Sequence, residues 1–167
     1  MSENSAPERL LRVVVVSDTH GRIARLETAM RQQPRAALYI HLGDGEWDLA
    51  EMRGMYPGRR FLAVAGNCDF GSGLPDRGET ELGGKRIFFT HGHAFYVKSG
   101  LSRVVDEAVT RGADILLFGH THVPLTEYRD GLYILNPGSL GSPRDGVPTY
   151  GVVDITPAGV AAHIVEL

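Results

Sequence analysis

Five short apolar segments of this chain each run directly into a cluster of polar residues, and this repeated pattern constrains the fold more than any other feature. The segments are residues 12–16, 36–41, 61–65, 86–90 and 115–118. Their β-branched and aromatic content predicts buried strands. Apolar residues at helical spacing follow the first strand (Ile23, Leu26 and Met30), and further helices are predicted at 46–53 and 101–111.

Hairpin signals dominate the later part of the chain. Gly83-Gly84, Asp130-Gly131 and residues 157–159 each separate two strand-like segments. Residues 70–78 are rich in glycine and predict a loop. Because strands first alternate with helices and later form hairpins only, we expect an α/β fold in which two sheets pack face to face with helices outside them.

The polar clusters provide a set of metal-ligand side chains. In open α/β sheets, sites form beyond the carboxyl ends of the strands, so five such ends can converge on one patch. The His-x-His pair after residue 118 can present two imidazoles to one side of an extended backbone. Carboxylate, amide and imidazole donors suit Mn²⁺, Fe or Zn²⁺, and no set of thiolates suggests a structural zinc. The candidate ligands are Asp18, His20, Asp44, Asn67, His91, His120 and His122.

These residue types fit a pair of divalent ions held about 3.5–4 Å apart, an arrangement that activates water for attack on phosphoesters. A carboxylate can bridge the two ions with one oxygen on each. Imidazoles add affinity without negative charge, so net positive charge remains for an anionic substrate. The alternative is that these residues are ordinary strand-end caps and turn residues, for which Asp, Asn and Gly are common.

Other polar residues near the clusters have weaker functional interpretations. His93 is expected to face the substrate rather than bind metal, and His41 is expected to be a hydrogen-bonded core residue. Cys68 is either a small filler or an acid or redox group, and Asp69 is either a group that orients a ligand histidine or an ordinary turn residue. Arg144 is a candidate phosphate clamp on a turn-rich loop.

Length and charge narrow the function further. The chain has 167 residues, which fits one domain over 11–167 after a short disordered start at 1–10. The formal net charge of −3 gives no reason to expect an extended nucleic-acid or membrane surface. The chain has one cysteine, so it has no intrachain disulfide, and no apolar stretch approaches the roughly 20 residues of a membrane span. We expect a cytoplasmic protein.

The ordered motifs resemble those of the calcineurin-like metallophosphoesterase superfamily. They are Asp18-Thr19-His20, Gly43-Asp44, Gly66-Asn67-Cys68-Asp69, His91-Gly92-His93 and Gly119-His120-Thr121-His122. Each motif alone is common, but five in this order are specific. The short chain and the Asn136-Pro137-Gly138-Ser139 turn resemble the small YfcE-type phosphodiesterases.

The resemblance implies a four-layer α-β-β-α sandwich of two mixed sheets with a dinuclear metal centre. Asp18, His20 and His122 would bind one ion, Asn67, His91 and His120 would bind the other, and Asp44 would bridge them. The implied activity is hydrolysis of a small phosphodiester, with nucleotide-like molecules among the candidates, by hydroxide that the metals activate. Asp44 and Asn67 are the residues on which activity should depend most. Mn²⁺ is the expected metal, with Fe, Zn²⁺ and Ni²⁺ as alternatives.

One residue departs from the wider superfamily. Many members carry a histidine directly after the asparagine and use it to protonate the leaving group, whereas this chain and the YfcE-type branch have cysteine (Cys68). This favours diesters or activated esters over monoesters with poor leaving groups. The alternative function is a metal-binding, catalytically weak protein-interaction scaffold resembling the retromer small subunit. The oligomeric state is a separate, open question, and exposed strands of the terminal hairpins offer a route to a dimer or tetramer.

Overall fold

The structure is a computed structural model that describes residues 9–167. The predicted disordered start falls mostly on residues 1–8, which lie outside the described residues. Within that part of the chain, ten strands and three α-helices follow in the predicted order. The strands are β1 (Leu11–Val16), β2 (Leu38–His41), β3 (Phe61–Ala63), β4 (Arg77–Leu82), β5 (Lys85–Thr90), β6 (Ile115–Phe118), β7 (Pro124–Arg129), β8 (Leu132–Pro137), β9 (Thr149–Thr156) and β10 (Gly159–Glu166), and the helices are α1 (Ile23–Gln32), α2 (Glu46–Met55) and α3 (Ser102–Thr110).

The strands form two mixed sheets of five strands each. The first sheet has the order β10-β9-β1-β2-β3, and the second has the order β4-β5-β6-β8-β7. Strands β1, β2 and β3 are parallel, as are β5, β6 and β8, while the remaining neighbours pair antiparallel. The parallel pairing of β8 with β6 was not predicted, because the sequence signals only its hairpin with β7.

Alternate residues of the central strands separate the sheets from the helices. Val13 and Val15 of β1 lie in the core between the two sheets, whereas Val14 and Val16 pack with residues of α1. In the second sheet, Leu117 lies in the core between the sheets, and its neighbour Leu116 packs with residues of α3. This period of two produces helix, sheet, sheet and helix layers. The predicted four-layer α-β-β-α sandwich is confirmed.

The parallel strands of both sheets end at one side of the molecule, where the polar loops meet. The loop after β1 hydrogen-bonds to the loop after β2 through Asp18 N and Gly43 O, which are 2.9 Å apart. Across the sheets, Gly141 N donates to Asp18 O at 2.9 Å. In residues 9–167, no helix combines the length and apolar character needed to cross a membrane. The predicted cytoplasmic location stays a prediction.

Candidate metal centre

Five residues of the predicted ligand set adopt left-handed backbone conformations. Their φ angles are 53° for Asp18, 44° for His20, 59° for Asp44, 69° for His120 and 61° for His122. Residues other than glycine seldom adopt positive φ, although Asp, Asn and His do so more readily than most. Such conformations cluster at functional sites, where the surrounding structure holds them in place. Here the sharp backbone turns direct side chains from separate strands into one patch.

The carboxylate of Asp18 presents one oxygen to the protein and the other to a group of imidazoles. Oδ2 accepts hydrogen bonds from the hydroxyl of Ser17 at 2.5 Å and from the backbone N–H of His120 at 3.2 Å. Oδ1 is buried and has no hydrogen-bond partner. The Nε2 atoms of His122, His20 and His91 lie 3.1, 3.6 and 3.8 Å from Oδ1. A buried carboxylate oxygen among nitrogen atoms is suited to hold a cation.

The carboxylate of Asp44 repeats this division of roles. Oδ1 accepts a hydrogen bond from the backbone N–H of Cys68 at 2.7 Å. Oδ2 lies 3.4 Å from Nε2 of His91 and 3.8 Å from Nε2 of His20. The sequence led us to expect that each oxygen of this carboxylate would face one ion, but here Oδ2 faces both histidines while Oδ1 supports the Asn67-Cys68 turn.

The histidines are oriented so that lone pairs point into the site. Nδ1 of His91 lies 2.7 Å from the carbonyl oxygen of Leu42, which fixes the proton on Nδ1 and leaves Nε2 unprotonated. That Nε2 is 3.0 Å from Oδ1 of Asn67 and 3.1 Å from Nδ1 of His120. Nε2 of His91 and Oδ1 of Asn67 are therefore two acceptor atoms that face each other at hydrogen-bond distance, an arrangement that a divalent cation between them would relieve.

Nδ1 of His122 is held in the same way, 2.7 Å from the carbonyl oxygen of Ser142. The effect is to turn Nε2 of His122 toward Oδ1 of Asp18. Carbonyl oxygens behind ligand imidazoles are a common support in metal sites because they fix the tautomer and the ring orientation. The loop after β8 thus supports a histidine that follows β6.

The pKa shifts reflect the same demand for positive charge. Burial would raise the pKa of Asp18, but the imidazoles of His122, His20 and His91 hold it well below its usual value. The Asp18 carboxylate in turn raises the pKa of His20 and of His122. Burial and the neighbouring His91 lower the pKa of His120 to about 4, so this imidazole is neutral near pH 7. The raised pKa values of His20 and His122 indicate that positive charge is favoured beside the Asp18 carboxylate, and a metal ion would supply such charge.

Close backbone approach is required at Gly66. A Cβ atom there would lie 2.1 Å from Oδ1 and 2.6 Å from the backbone nitrogen of Asp44. Any larger residue would push the Asp44 loop away from the imidazoles, so the glycine before Asn67 is needed for the geometry of the site.

Asp69 ties the loop after β2 to the loop after β3. Its carboxylate accepts hydrogen bonds from four backbone N–H groups at 2.7–3.2 Å: those of Asp44, Gly45, Glu46 and Gly66. Burial would raise the pKa of Asp69, but these four donors lower it. Of the two interpretations of Asp69, the structure favours a positioning role, although the partner it positions is the Asp44 loop and not a histidine.

A buried network that the sequence did not reveal supports the loop after β1. The hydroxyl of Thr19 donates to Oδ2 of Asp48 at 2.6 Å and lies 3.2 Å from Nε2 of His41. Asp48 also accepts from the backbone N–H of Gly21 at 2.9 Å, and Nδ1 of His41 accepts from that of Gly43 at 3.0 Å. His41 is the hydrogen-bonded core residue that we expected. Asp48 lies on α2, where nothing in the local sequence distinguishes it from a surface carboxylate.

The turn after β8 also supports the site. Nδ2 of Asn136 donates to the carbonyl oxygen of Gly119 at 3.2 Å and to Oγ1 of Thr121 at 3.0 Å. The hydroxyl of Ser139 donates to the carbonyl oxygen of Asp18 at 2.8 Å. This turn is therefore the sixth polar strand end at the site, and the pattern of an apolar strand followed by polar residues could have revealed it.

Three further predicted residues lie around the site. Cys68 and Arg144 are exposed, and the backbone N–H of Arg144 donates to the carbonyl oxygen of His122 at 3.3 Å. The ring of His93 lies 5.4 Å from that of His91 and 6.2 Å from that of His120, measured between centroids. Nδ1 of His93 is buried without a hydrogen-bond partner. No predicted site residue lies away from this end of the sheets.

Comparison with known proteins identifies the family. The model for the calcineurin-like phosphoesterase superfamily domain matches residues 11–158. The chain is 35% identical over 136 residues to a probable metallophosphoesterase of Bacillus subtilis, YsnB, covering 80% of this chain and 78% of the relative. It therefore belongs to the calcineurin-like phosphoesterase superfamily, and its relatives named as metallophosphoesterases and phosphodiesterases indicate a phosphoric ester hydrolase.

The resemblance to the YfcE-type branch is also confirmed. The chain is 29% identical over 171 residues to the phosphodiesterase YfcE of Escherichia coli K12, covering 87% of this chain and 88% of the relative. A predicted phosphoesterase of Streptococcus pneumoniae shares its fold, with a TM-score of 0.78, 28% identity, and coverage of 94% of this chain and 99% of the other. Vps29 of Cryptosporidium parvum has a TM-score of 0.74, covers 95% and 98%, and at 14% identity shows similarity of fold alone.

Proposed function

We propose that this protein is a metal-dependent phosphodiesterase that acts on a small phosphodiester. The observation that carries the proposal is the pair of buried carboxylates, Asp18 and Asp44, each with an oxygen directed at imidazole nitrogens. Donor atoms in two groups, Asp18-His20-His122 and Asp18-Asp44-His91, lie within 4.8 Å of one another. Family membership and the phosphodiesterase activity named for YfcE support the same conclusion.

The donor sets fit two divalent cations. Asp18, His20 and His122 would hold one ion, Asn67, His91 and His120 would hold the other, and Oδ2 of Asp44 would be shared. When bound, two such ions supply hydroxide at neutral pH and polarise the phosphoryl oxygens. Mn²⁺ is the proposed metal because the set contains oxygen and imidazole donors without a dominant soft ligand, and Fe, Zn²⁺ and Ni²⁺ are the alternatives.

The charges of the protein residues favour an anionic substrate. The seven proposed ligands contain two carboxylates, so they contribute two negative charges, and their imidazoles and amide are neutral when bound to metal. Such a site keeps excess positive charge after two divalent ions bind, and a singly charged phosphodiester is attracted to it. Arg144 lies on an exposed loop whose backbone N–H donates to the carbonyl oxygen of His122, and this proximity supports a role for its guanidinium as a further positive charge at the site.

Cys68 limits the substrate class that we propose. It occupies the position at which many superfamily members have an acid histidine, and burial together with the Asp44 carboxylate raises the pKa of its thiol. A thiol in this environment is a poor proton donor compared with a protonated imidazole. The best substrates should therefore be diesters whose leaving group departs without strong acid assistance, such as aryl or nucleotide-like esters.

Purified protein can test this proposal after its metals are removed by chelation. We expect hydrolysis of a bis-aryl phosphate to return with Mn²⁺ and to be lost in Asp44→Ala and in Asn67→Ala. The matched control is Asp154→Asn, which also removes a carboxylate but lies at the end of β9 that is far from the candidate site. Its rate of hydrolysis should equal that of the wild type. Protein that binds two ions but hydrolyses no member of a panel of phosphodiesters and monoesters would contradict the proposal.

The scaffold alternative would be favoured if the donor set were incomplete, and all seven donor positions are filled here. A scaffold would show the same fold without recovering hydrolysis with any of Mn²⁺, Ni²⁺, Fe²⁺, Zn²⁺ and Mg²⁺. The same metal series identifies the ion that supports the highest rate.

A further inference from the structure

A third group of donor atoms lies beside the seven proposed ligands and includes the single cysteine of the chain. One ligand atom from each of His20, Asp44 and Cys68 lies within 4.8 Å of the other two. Cys68 is held there by its backbone N–H, which donates to Oδ1 of Asp44 at 2.7 Å, and its side chain is exposed. The group combines a nitrogen, an oxygen and a sulfur donor.

A second observation shows that this corner of the site favours a cation. Oδ1 of Asp18 is fully buried, lacks a hydrogen-bond partner, and lies 3.6 Å from Nε2 of His20. The same Nε2 lies 3.8 Å from Oδ2 of Asp44. An ion beside His20 would therefore have carboxylate oxygens of Asp18 and Asp44 within reach, and the exposed thiol of Cys68 adds a sulfur donor to the group.

We propose that Cys68 is a thiolate ligand for soft and borderline divalent ions, such as Zn²⁺, Co²⁺ and Cd²⁺, in a site shared with His20 and Asp44. Sulfur binds these ions strongly and binds Mn²⁺ and Mg²⁺ weakly. On binding, the thiol proton goes to the solvent and a sulfur–metal bond forms, so no oxidant or reductant is needed. The hydrolytic ligand set and this set share two residues, and thiophilic ions would therefore compete with the proposed Mn²⁺ centre.

Cobalt spectroscopy tests the proposal without measuring hydrolysis. The full chain, freed of metal, is titrated with Co²⁺ under reducing conditions. A sulfur-to-cobalt charge-transfer band in the near ultraviolet would have to come from Cys68, because the chain contains no other cysteine. We expect this band to rise to a plateau in the wild type. It should be absent in Cys68→Ser, in which visible d–d absorption still reports Co²⁺ on the remaining ligands.

Two further variants separate a built site from an exposed thiol. His20→Ala removes one of the three proposed ligands and should weaken the Co²⁺ affinity measured by this band by at least about 10-fold, which is the smallest effect usual for loss of a group that merely supports a ligand. His163→Ala, an exposed histidine on β10, is the matched control and should leave the affinity unchanged.

Two results would overturn the proposal: visible Co²⁺ absorption in the wild type without a near-ultraviolet band, or a band whose affinity is the same in His20→Ala. The proposal does not depend on hydrolysis. If the phosphodiesterase assay failed, the band would still be expected, and if the band failed, Mn²⁺-dependent hydrolysis would be unaffected.

Discussion

The two sheets contribute chemically different halves to the candidate metal centre. Loops of the first sheet carry both carboxylates and the amide, on Asp18, Asp44 and Asn67, together with one histidine. Loops of the second sheet carry imidazoles alone, on His91, His120 and His122. The anionic half can attract a cation by itself, whereas the neutral half can only complete its coordination. Metal affinity should therefore depend more on the ligands of the first sheet than on those of the second. It should also depend on the core between the sheets, because the core fixes the distance between the two sets of ligands.

The largest loss of metal binding is expected for Asp44→Asn. The amide keeps an oxygen that can accept from the backbone N–H of Cys68, so the turn is preserved, but the negative charge between the two halves is lost. We expect Mn²⁺ affinity to fall by more than about 100-fold, which exceeds the effect of removing a supporting residue. Isothermal titration calorimetry measures this directly. Near-wild-type affinity would show that the carboxylates are not the dominant half.

A smaller loss is expected for His122→Ala in the second sheet. This change removes one neutral donor from a half-buried position, and Asp18 keeps both His20 and the Asp44 corner. The affinity should fall by about 10–100-fold, and excess Mn²⁺ should restore much of the hydrolysis. An effect equal to that of Asp44→Asn would break the proposed difference between the two sheets.

Two neighbouring leucines of β6 test the core between the sheets. Leu117 and Leu116 are both fully buried, but Leu117 faces the first sheet and Leu116 faces α3. Each change to alanine should lower the free energy of unfolding by about 2–5 kcal/mol. Only Leu117→Ala should also weaken Mn²⁺ binding, by a few-fold, because only this change removes packing between the two sheets that carry the ligands. Equal metal affinity in the two variants would contradict this.

Replacing His41 should change the pH dependence of the free energy of unfolding and leave the metal affinity nearly unchanged. Burial lowers its pKa to about 4 from 6.5. The unfolded chain therefore takes up a proton on His41 between these values while the folded chain does not. The free energy of unfolding therefore keeps its full value above pH 6.5 and decreases as the pH falls toward 4, by up to about 3 kcal/mol.

Urea unfolding of metal-free protein at several pH values measures this loss. The wild type should lose stability between pH 6.5 and 4 more steeply than His41→Gln, which has no imidazole to protonate. Parallel curves for the two proteins would show that other groups of the Thr19-Asp48 network carry the pH dependence.

Much of the fold was predictable from the sequence because it follows from local patterns. The ten strands and three α-helices of residues 9–167 were predicted in the right order, and β6 was predicted with its observed ends at Ile115 and Phe118. The predicted strand ends were wrong where the sequence does not change sharply between loop-like and strand-like residues. β4 begins at Arg77, inside the predicted loop, and β2 begins at Leu38, two residues after its predicted start. Short 3-10 helices at His93–Phe95 and Val97–Ser99 carry no periodic signal and were not predicted.

The sequence predicted which residues form the candidate site, but it did not predict which of their atoms face one another. The sequence pointed to Asp44, but only the structure shows that Oδ2 faces the histidines while Oδ1 accepts from Cys68. Parallel pairing of β8 with β6 and the carboxylate of Asp48 were also hidden, because both depend on contacts between residues far apart in the chain. Local sequence records which residues follow a strand, whereas tertiary packing decides which atoms meet.

The left-handed backbone at Asp18, His20, Asp44, His120 and His122 restricts how this centre can change by mutation. Glycine, asparagine, aspartate and histidine tolerate that conformation, while β-branched and most bulky residues are strained there by about 1–3 kcal/mol. A donor can therefore be exchanged for another member of this small group at modest structural cost, but a longer or branched donor would have to rebuild the loop around it. Variation in metal preference among related chains should accordingly concentrate at ligand positions with ordinary backbone, such as Asn67 and His91.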